Sequence, residues 1–220
     1  MTARQAYSTV SSVCVTVLVH QGSLEEADRV ATLLADFASS ADAQERAGHA
    51  CGKSRLLLAR GDAAEALRVA QVGVEMSEEM GLTQEYVKES LVNALEATLD
   101  LRDTARAEQL LAIIENVPTG SRPQFLHAQA LRFRARLAGL EGDADAERLF
   151  KGAVALFREL AMPFHLAVVE LEHAEWLTAE SRGEEAAPLV EEARAIFGKL
   201  NAAPWLERAE KIGVAEPMTA

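Results

Sequence analysis

Cysteine is scarce in this chain, with two residues in 220. Two cysteines cannot build a disulfide framework, so the sequence predicts a reducing compartment and a cytoplasmic location. Proline (6 residues) and glycine (13 residues) are also few, and aromatic residues make up only 5%. Hydrophobic residues reach 49%, which is enough apolar surface to exclude intrinsic disorder. These values favour helices packed around a continuous core.

Positive charge and long apolar runs are lacking as well. Lys and Arg number 22 against 34 Asp and Glu, a formal net charge of -12. An acidic chain repels phosphate backbones, so we expect no nucleic-acid partner. No apolar stretch approaches the ~18 residues that a spanning helix needs, so we expect no membrane partner. The most apolar segment, 10–19, lacks the small-residue cleavage site of a secretory signal peptide.

A short phrase of turn residues followed by a closing alanine recurs five times. The copies begin with Gly-Ser-Leu-Glu-Glu-Ala and Gly-Asp-Ala-Ala-Glu-Ala, and they occupy 22–27, 61–66, 102–107, 142–146 and 181–186. The closing alanines are Ala27, Ala66, Ala107, Ala146 and Ala186. Their spacings are 39, 41, 39 and 40 residues. A constant period of this length indicates an array of helical repeats.

Each phrase has the chemistry of a tight turn between two helices. Glycine relaxes the backbone where the first helix ends, and Asp or Ser caps the start of the second. Small or apolar residues follow each closing alanine at +4 and +7, which is one helical face. We therefore predict an all-α, right-handed superhelical solenoid of five antiparallel helix pairs. We expect a single repeat domain, 1–220, with repeats at about 1–40, 41–81, 82–120, 121–162 and 163–202 and a capping helix at 203–213.

Two resemblances to known repeat families accompany this pattern. Ala146-x-x-x-Phe150 resembles the tetratricopeptide repeat (TPR), although the period here is nearer 40 than the usual ~34 residues. Glu172-His-Ala-Glu-Trp-Leu177 resembles the C-terminal repeat region of bacterial class III adenylate/guanylate cyclase–ATPase signalling proteins, which is related to the arrays of ATPase-type transcriptional activators. Similar segments lie at 57–62, 81–89, 133–137, 156–160 and 203–209. The resemblance implies a regulatory role that senses a protein or a ligand, and it carries over no catalytic residue.

Three motifs suggest chemistry, and for each the sequence favours a structural explanation. The segment 47–54 matches a loose phosphate-loop pattern without a preceding strand, so we expect an ordinary helix with an exposed Lys53. Cys14 and Cys51 are expected to be buried free thiols. Glu170 and His173 share a helical face but lack a further metal ligand, so we expect a solvated or hydrogen-bonded histidine. We predict no catalytic, cofactor-binding or metal-binding residue.

The densest positive cluster lies in the predicted first helix of the fourth pair. Arg132, Arg134 and Arg136 alternate there, and His127 precedes them by about one turn. In TPR-like arrays the first helices line the concave groove. His127, Arg132 and Arg136 are therefore our candidate groove residues for an acidic or phosphorylated partner. The alternative is that the arginines form internal ion pairs with glutamates of the same or neighbouring repeats.

The sequence as a whole predicts a non-enzymatic protein-interaction and regulatory domain, without a cofactor, from a bacterial cyclase-like or ATPase-type regulator. A free-standing scaffold or adaptor, and a small-molecule-sensing domain of a transcriptional regulator, stay open. The partner is expected to be a protein, a peptide or another domain of the same chain. The first predicted helix is apolar nearly all round, so either further repeats precede it or two copies pair through it as a homodimer.

Overall fold

The structure, a computed structural model, describes residues 3–212 and is built from helices. A short 3-10 segment, Ala35–Ser39, follows the second of them. The α-helices are α1 Ala3–His20, α2 Leu24–Leu33, α3 Ala43–Ala59, α4 Ala63–Glu75, α5 Ser77–Met80, α6 Glu85–Asp100, α7 Thr104–Glu115, α8 Gln124–Glu141, α9 Ala146–Glu159, α10 Pro163–Ala179, α11 Gly183–Leu200 and α12 Ala203–Ile212. No strand occurs between residues 3 and 212. The prediction of an all-α helical solenoid is confirmed, with pairs α1/α2, α3/α4, α6/α7, α8/α9 and α10/α11 followed by α12.

The helices divide into two compact units, with the boundary between Pro123 and Gln124. The N-terminal unit holds α1 to α7, and within it α3 packs against α1, α4 and α6. The C-terminal unit holds α8 to α12, and within it α10 packs against α9, α11 and α12. A first helix of a pair therefore lies at the centre of each unit. The single repeat domain over 1–220, with the repeat limits given above, stays a prediction.

The five turns inside the helix pairs share one backbone geometry. One residue in each turn has a left-handed φ between 57° and 83°, namely Gly22, Gly61, Arg102, Gly142 and Ser181. In all five turns the N–H of the next residue donates to the carbonyl five residues earlier, at 2.8–3.0 Å. This hydrogen bond is the mark of a Schellman helix end. The repeated phrase thus encodes a repeated turn, even where glycine is replaced by Arg102 or Ser181.

The rest of the phrase fixes the start of the second helix. Asp62 and Asp103 accept hydrogen bonds from the N–H groups of Glu65 and Arg106, so the predicted caps are confirmed there, whereas Ser23 makes no such side-chain bond. Each such bond satisfies a donor that has no partner inside the helix. The closing alanines are all 2% exposed or less. Their small side chains let the paired helices approach closely.

Replacing Arg102 by glycine should stabilise the protein, because an L-residue with a side chain pays a steric cost at φ 57° that glycine does not. Arg102 is exposed, and we expect a gain of about 0.5–1 kcal/mol in the free energy of unfolding. The matched reverse change is Gly61→Ala, at a turn where an added Cβ would meet nothing within 4 Å. It should cost about 1 kcal/mol. Urea unfolding would measure both, and a loss of stability in Arg102→Gly would contradict the strain argument.

The first helices α3, α6, α8 and α10 are covered on nearly all sides. In α10 every residue from Leu166 to Ala174 is buried, and in α6 the same holds from Ser90 to Leu95. Second helices bury mainly one face, as α9 does. Because the first helices form the core, a polar side chain on them needs a partner inside the protein.

The first helix of the chain keeps an uncovered apolar stripe. Tyr7, Val10, Val13 and Val17 follow one another at intervals of three or four residues and are 46–62% exposed. The opposite side of α1 packs on α3. None of the helices between residues 3 and 212 is long and apolar enough to span a bilayer.

The two cysteines differ in their surroundings. Cys51 is buried, and burial raises the pKa of its thiol to about 12, so it stays protonated. Cys14 is exposed, and the prediction that it is buried is wrong. The reason is the orientation of α1, which turns Ser12 and Val15 toward Gly52 of α3 and leaves Cys14 on the side of the apolar stripe.

Candidate interaction site

The structure buries the first of the two predicted groove arginines. The side chain of Arg132 on α8 is 4% exposed and faces Glu172 on α10, which is 3% exposed. Its Nε and Nη2 donate to the two carboxylate oxygens at 2.6 and 2.5 Å, and its Nη1 donates to Gln129 Oε1 at 3.2 Å. The guanidinium also lies 4.8 Å from the centre of the Phe133 ring. Arg132 is therefore engaged by a neighbouring repeat, which is the alternative that the sequence left open.

Arg136 and His127 keep more contact with solvent. The side chain of Arg136 is 21% exposed, and its Nη1 lies 3.3 Å from Glu172 Oε1. His127 is half-buried on the same helix. The structure thus brings Arg132 and Arg136 together on one carboxylate, and it gives His127 no part in that ion pair. The partly exposed members of the predicted groove set are His127 and Arg136.

Ion pairs between consecutive first helices recur in both units, and a further pair joins α10 to the final helix α12. In each, an arginine meets a carboxylate that lies 33 to 41 residues away in the sequence. The pairs with their shortest distances are Arg4–Glu45 at 2.8 Å, Arg55–Glu89 at 2.9 Å, Arg132–Glu172 at 2.5 Å and Arg208–Glu175 at 2.5 Å. The pairing therefore follows the repeat period, and within each unit it occupies charged groups that would otherwise be available to a partner.

His173 on α10 is the polar residue that sequence reasoning misjudged most. It is 4% exposed, and its Nε2 has no hydrogen-bond partner. The imidazole stacks on Phe150, with ring centres 5.1 Å apart, and lies 6.0 Å from the ring of Trp176. Burial lowers the pKa of His173 to about 4, so the ring is neutral near pH 7. The expectation of a solvated or hydrogen-bonded histidine is wrong at Nε2, because aromatic side chains enclose it.

Glu170 lies one turn before His173 and is fully buried. Its Oε1 accepts a hydrogen bond from Arg158 of α9 at 2.7 Å, while its Oε2 has no partner. Arg158 also pairs with Glu192 of α11 at 3.0 Å. Burial, reinforced by the negative charge of Glu192, raises the pKa of Glu170 to about 8. One arginine therefore joins three helices through two carboxyl groups that compete for it.

The raised pKa of Glu170 predicts that stability falls with rising pH. Between the ordinary value of 4.5 and about 8, the folded protein holds a proton that the unfolded chain releases. Glu170→Gln cannot ionise, so its stability relative to the natural protein should increase between about pH 6.5 and pH 8.5. His173 does not disturb this window, because its lowered pKa acts between 6.5 and about 4. Urea unfolding across this range would measure the difference, and a constant difference would contradict the prediction.

The phosphate-loop-like segment 47–54 lies inside α3. Gly48 and Gly52 make room there for α1, since a Cβ on Gly48 would lie 2.8 Å from Ser8 Oγ. Backbone N–H groups in a helix interior already bond to carbonyls and cannot converge on a phosphate. Lys53 is half-buried, whereas the sequence led us to expect it exposed. No group of three or more His, Cys, Asp or Glu side chains between residues 3 and 212 is placed to hold a metal ion.

Lys53→Ala should leave the protein unchanged in any assay with ATP. The side chain projects from a helix, so its loss should alter the free energy of unfolding by no more than about 0.5 kcal/mol. Isothermal titration with ATP and magnesium would test the natural protein and the variant side by side. Saturable ATP binding that disappears in Lys53→Ala would show that the motif is functional.

The described residues define an all-α protein of TPR-like helical repeats. Two solved structures are similar to it: a kinesin light chain-like protein of Podosopora anserina with nearly identical TPR-like repeats, and a single-residue variant of that protein. Each has a TM-score of 0.53 and 19% sequence identity, and the match covers 90% of this chain and 98% of the other. At this identity the likeness shows the fold alone. No family model and no curated protein sequence matches the chain.

Proposed function

We propose that this chain is a non-catalytic protein-interaction repeat domain. The observation that carries the proposal is the arrangement of helix pairs in TPR-like units, a fold whose solved neighbours are repeat proteins. Repeat units of this kind offer extended surfaces instead of one deep catalytic cavity. The domain acts in the cytoplasm, where its exposed Cys14 thiol stays reduced. Its partner is a protein, a peptide or another domain of the same chain.

The partner surface that we propose lies on α8, around the partly exposed His127 and Arg136. Arg136 lies 3.3 Å from Glu172, and its side chain stays 21% exposed, so part of its guanidinium can be reached by a partner. In a chain of net charge -12, an exposed guanidinium favours an acidic segment of the partner.

Capture experiments test this surface directly. The purified chain and its Arg136→Glu variant are immobilised and exposed to the same bacterial lysate at low and high salt, and retained proteins are identified by mass spectrometry. Arg29→Glu, an exposed arginine on α2, is the matched control. The proposal expects a partner that binds the natural chain and Arg29→Glu, is released by salt, and is lost with Arg136→Glu. Equal retention by all three chains would reject the α8 surface.

We further propose that the domain belongs to a bacterial cyclase-like or ATPase-type signalling regulator, where it senses a partner and controls the neighbouring domains. The support is the resemblance of 172–177 and the accompanying segments to the repeat regions of such regulators. A free-standing scaffold or adaptor is the alternative, and a small-molecule-sensing domain of a transcriptional regulator is the third. The reading frame of the gene distinguishes them: an upstream cyclase or ATPase domain supports the regulator, and a frame without one favours the adaptor.

A homodimer through α1 is the second interaction that we propose, and the exposed stripe of Tyr7, Val10, Val13 and Val17 favours it. The stripe contains no charged residue, so two copies can pack along it without repulsion. Light scattering should find a dimer that Val10→Asp converts to a monomer. Leu33→Asp on α2, which changes an equally exposed leucine, should leave the dimer intact. A natural chain that is monomeric in solution would reject this interface.

A further inference from the structure

A cleft of about 400 Å³ opens between α9 and α11 in the C-terminal unit. Val154 of α9 and Leu189 of α11 contribute apolar walls, and Leu177 of α10 lies between them. His173 is the polar residue that α10 places in this cleft. Specific small sites usually combine apolar walls with one or two polar groups, and this volume suits a single ring with a short attachment.

The charged groups at the edge of the cleft are already paired with one another. Lys151 Nζ lies 2.6 Å from a Glu147 oxygen, and Arg182 lies 2.8 Å from Glu147 and 2.6 Å from Glu185. Arg158 is held by two glutamates, as described above. A strongly charged ligand would have to break these pairs. The edge therefore favours a neutral ligand.

His173 supplies the feature that selects among neutral ligands. Its Nε2 is buried without a hydrogen-bond partner, and a buried polar group in that state costs free energy that a ligand can recover. Because Nε2 is closed off from solvent, a ligand reaches it when a side chain that lines the cleft changes its rotamer, and such changes are common on binding. A hydroxyl both donates and accepts a hydrogen bond, so it satisfies either tautomer of the neutral imidazole. A serine or threonine hydroxyl is too short to cover the apolar walls as well.

We propose that this cleft binds a phenol ring, either the side chain of a partner's tyrosine or a free phenolic molecule, with its hydroxyl hydrogen-bonded to His173 Nε2. The ring covers the apolar walls, and the hydroxyl satisfies the unpartnered nitrogen. This site is separate from the α8 surface, because its lining residues belong to α9, α10 and α11 and none belongs to α8. A negative result in either experiment therefore leaves the other proposal standing.

The test uses the full chain labelled with ¹⁵N-histidine and three probes. N-acetyltyrosinamide represents a tyrosine side chain, p-cresol represents a free phenol, and N-acetylphenylalaninamide is the matched compound without the hydroxyl. We expect a saturable change in the Nε2 resonance of His173 with one or both phenols, and binding about 2- to 10-fold tighter than that of N-acetylphenylalaninamide. His173→Phe keeps a stacked ring and should remove this preference, whereas His49→Phe, on α3 of the N-terminal unit, should retain it. Ala155→Phe should fill the cleft and block all three probes.

The relative binding of the two phenols identifies the source. Preference for N-acetyltyrosinamide indicates a tyrosine on a partner, and binding of p-cresol alone indicates a free phenol. Absence of any saturable change at His173, or equal binding of the phenylalanine compound to the natural chain, would overturn the proposal. So would an undiminished preference for the hydroxyl in His173→Phe.

Discussion

Replacing Glu172 by glutamine should cost about 3 kcal/mol or more in the free energy of unfolding of the C-terminal unit. The change keeps the shape of the side chain but removes the negative charge that both oxygens present to Arg132 at 2.5 and 2.6 Å. The guanidinium then stays in a site where it is 4% exposed and has lost the negative charge that Glu172 supplied. Removing a carboxylate that compensates a buried charge is far more costly than losing a surface contact.

Fluorescence offers a specific measurement of this effect. Both tryptophans, Trp176 and Trp205, lie in the C-terminal unit, so their emission during urea unfolding reports that unit. The double variant Arg132→Met with Glu172→Leu removes both charges and should be more stable than Glu172→Gln. Arg148→Gln, which breaks an exposed pair with Asp145 in the same unit, should change stability by no more than about 0.5 kcal/mol. A loss in Glu172→Gln as small as that of Arg148→Gln would show that the burial of Arg132 does not depend on the charge of Glu172.

Gly73→Ala adds one methyl group, and it should lower the stability of the N-terminal unit more than a methyl group added at any other position there. A Cβ on Gly73 of α4 would lie 2.5 Å from the Cβ of Ser90 on α6, and nearer still to its Oγ. Ser90 is fully buried, so neither helix can yield without displacing the core. Overpacking of this kind costs about 1–3 kcal/mol, and the closeness of the contact favours the upper end.

Two further variants show whether the clash is the cause. Gly198→Ala adds the same methyl group to a helix where nothing lies within 4 Å, so it should gain about 0.5–1 kcal/mol from helix propensity. Ser90→Gly removes the opposing Cβ and should reduce the cost of Gly73→Ala, which makes the two changes non-additive. Circular dichroism during urea unfolding measures all of them. Strict additivity would show that Gly73 is required for another reason.

The sequence predicted the helices and turns well, because the physics there is local. A residue with left-handed φ, a helix cap and a small alanine lie within six residues of one another, so each turn can be predicted from its own segment. The prediction that 47–54 is helical is confirmed for the same reason, since no strand precedes the segment. Such predictions are possible because local preferences agree with the overall fold.

The candidate site depends on contacts between residues that are far apart in the sequence, and no local pattern predicts such contacts. Arg132 meets a carboxylate 40 residues away, and the sequence could offer that pairing only as an alternative. His173 is enclosed by Phe150 of another helix, so its neutral state follows from tertiary packing. Cys14 is exposed because it lies on the side of α1 that faces away from α3. A helix that is apolar on nearly all sides does not show from its sequence which side will be buried. The signal that could have found His173 was the set of apolar residues about one turn away on α10, Val169, Trp176 and Leu177, which predict a buried face.

The ion pairs between first helices limit how the chain can be shortened. A fragment containing only α8 and α9 would keep Arg132 but lack Glu172. A fragment beginning at α10 would keep Glu172 but lack Arg132. Removing α12 would deprive Glu175 of Arg208. The smallest piece of the C-terminal unit that keeps both of these ion pairs is therefore α8 to α12. Truncations intended to isolate a minimal binding fragment should respect that limit, because a lone helix pair is electrostatically incomplete.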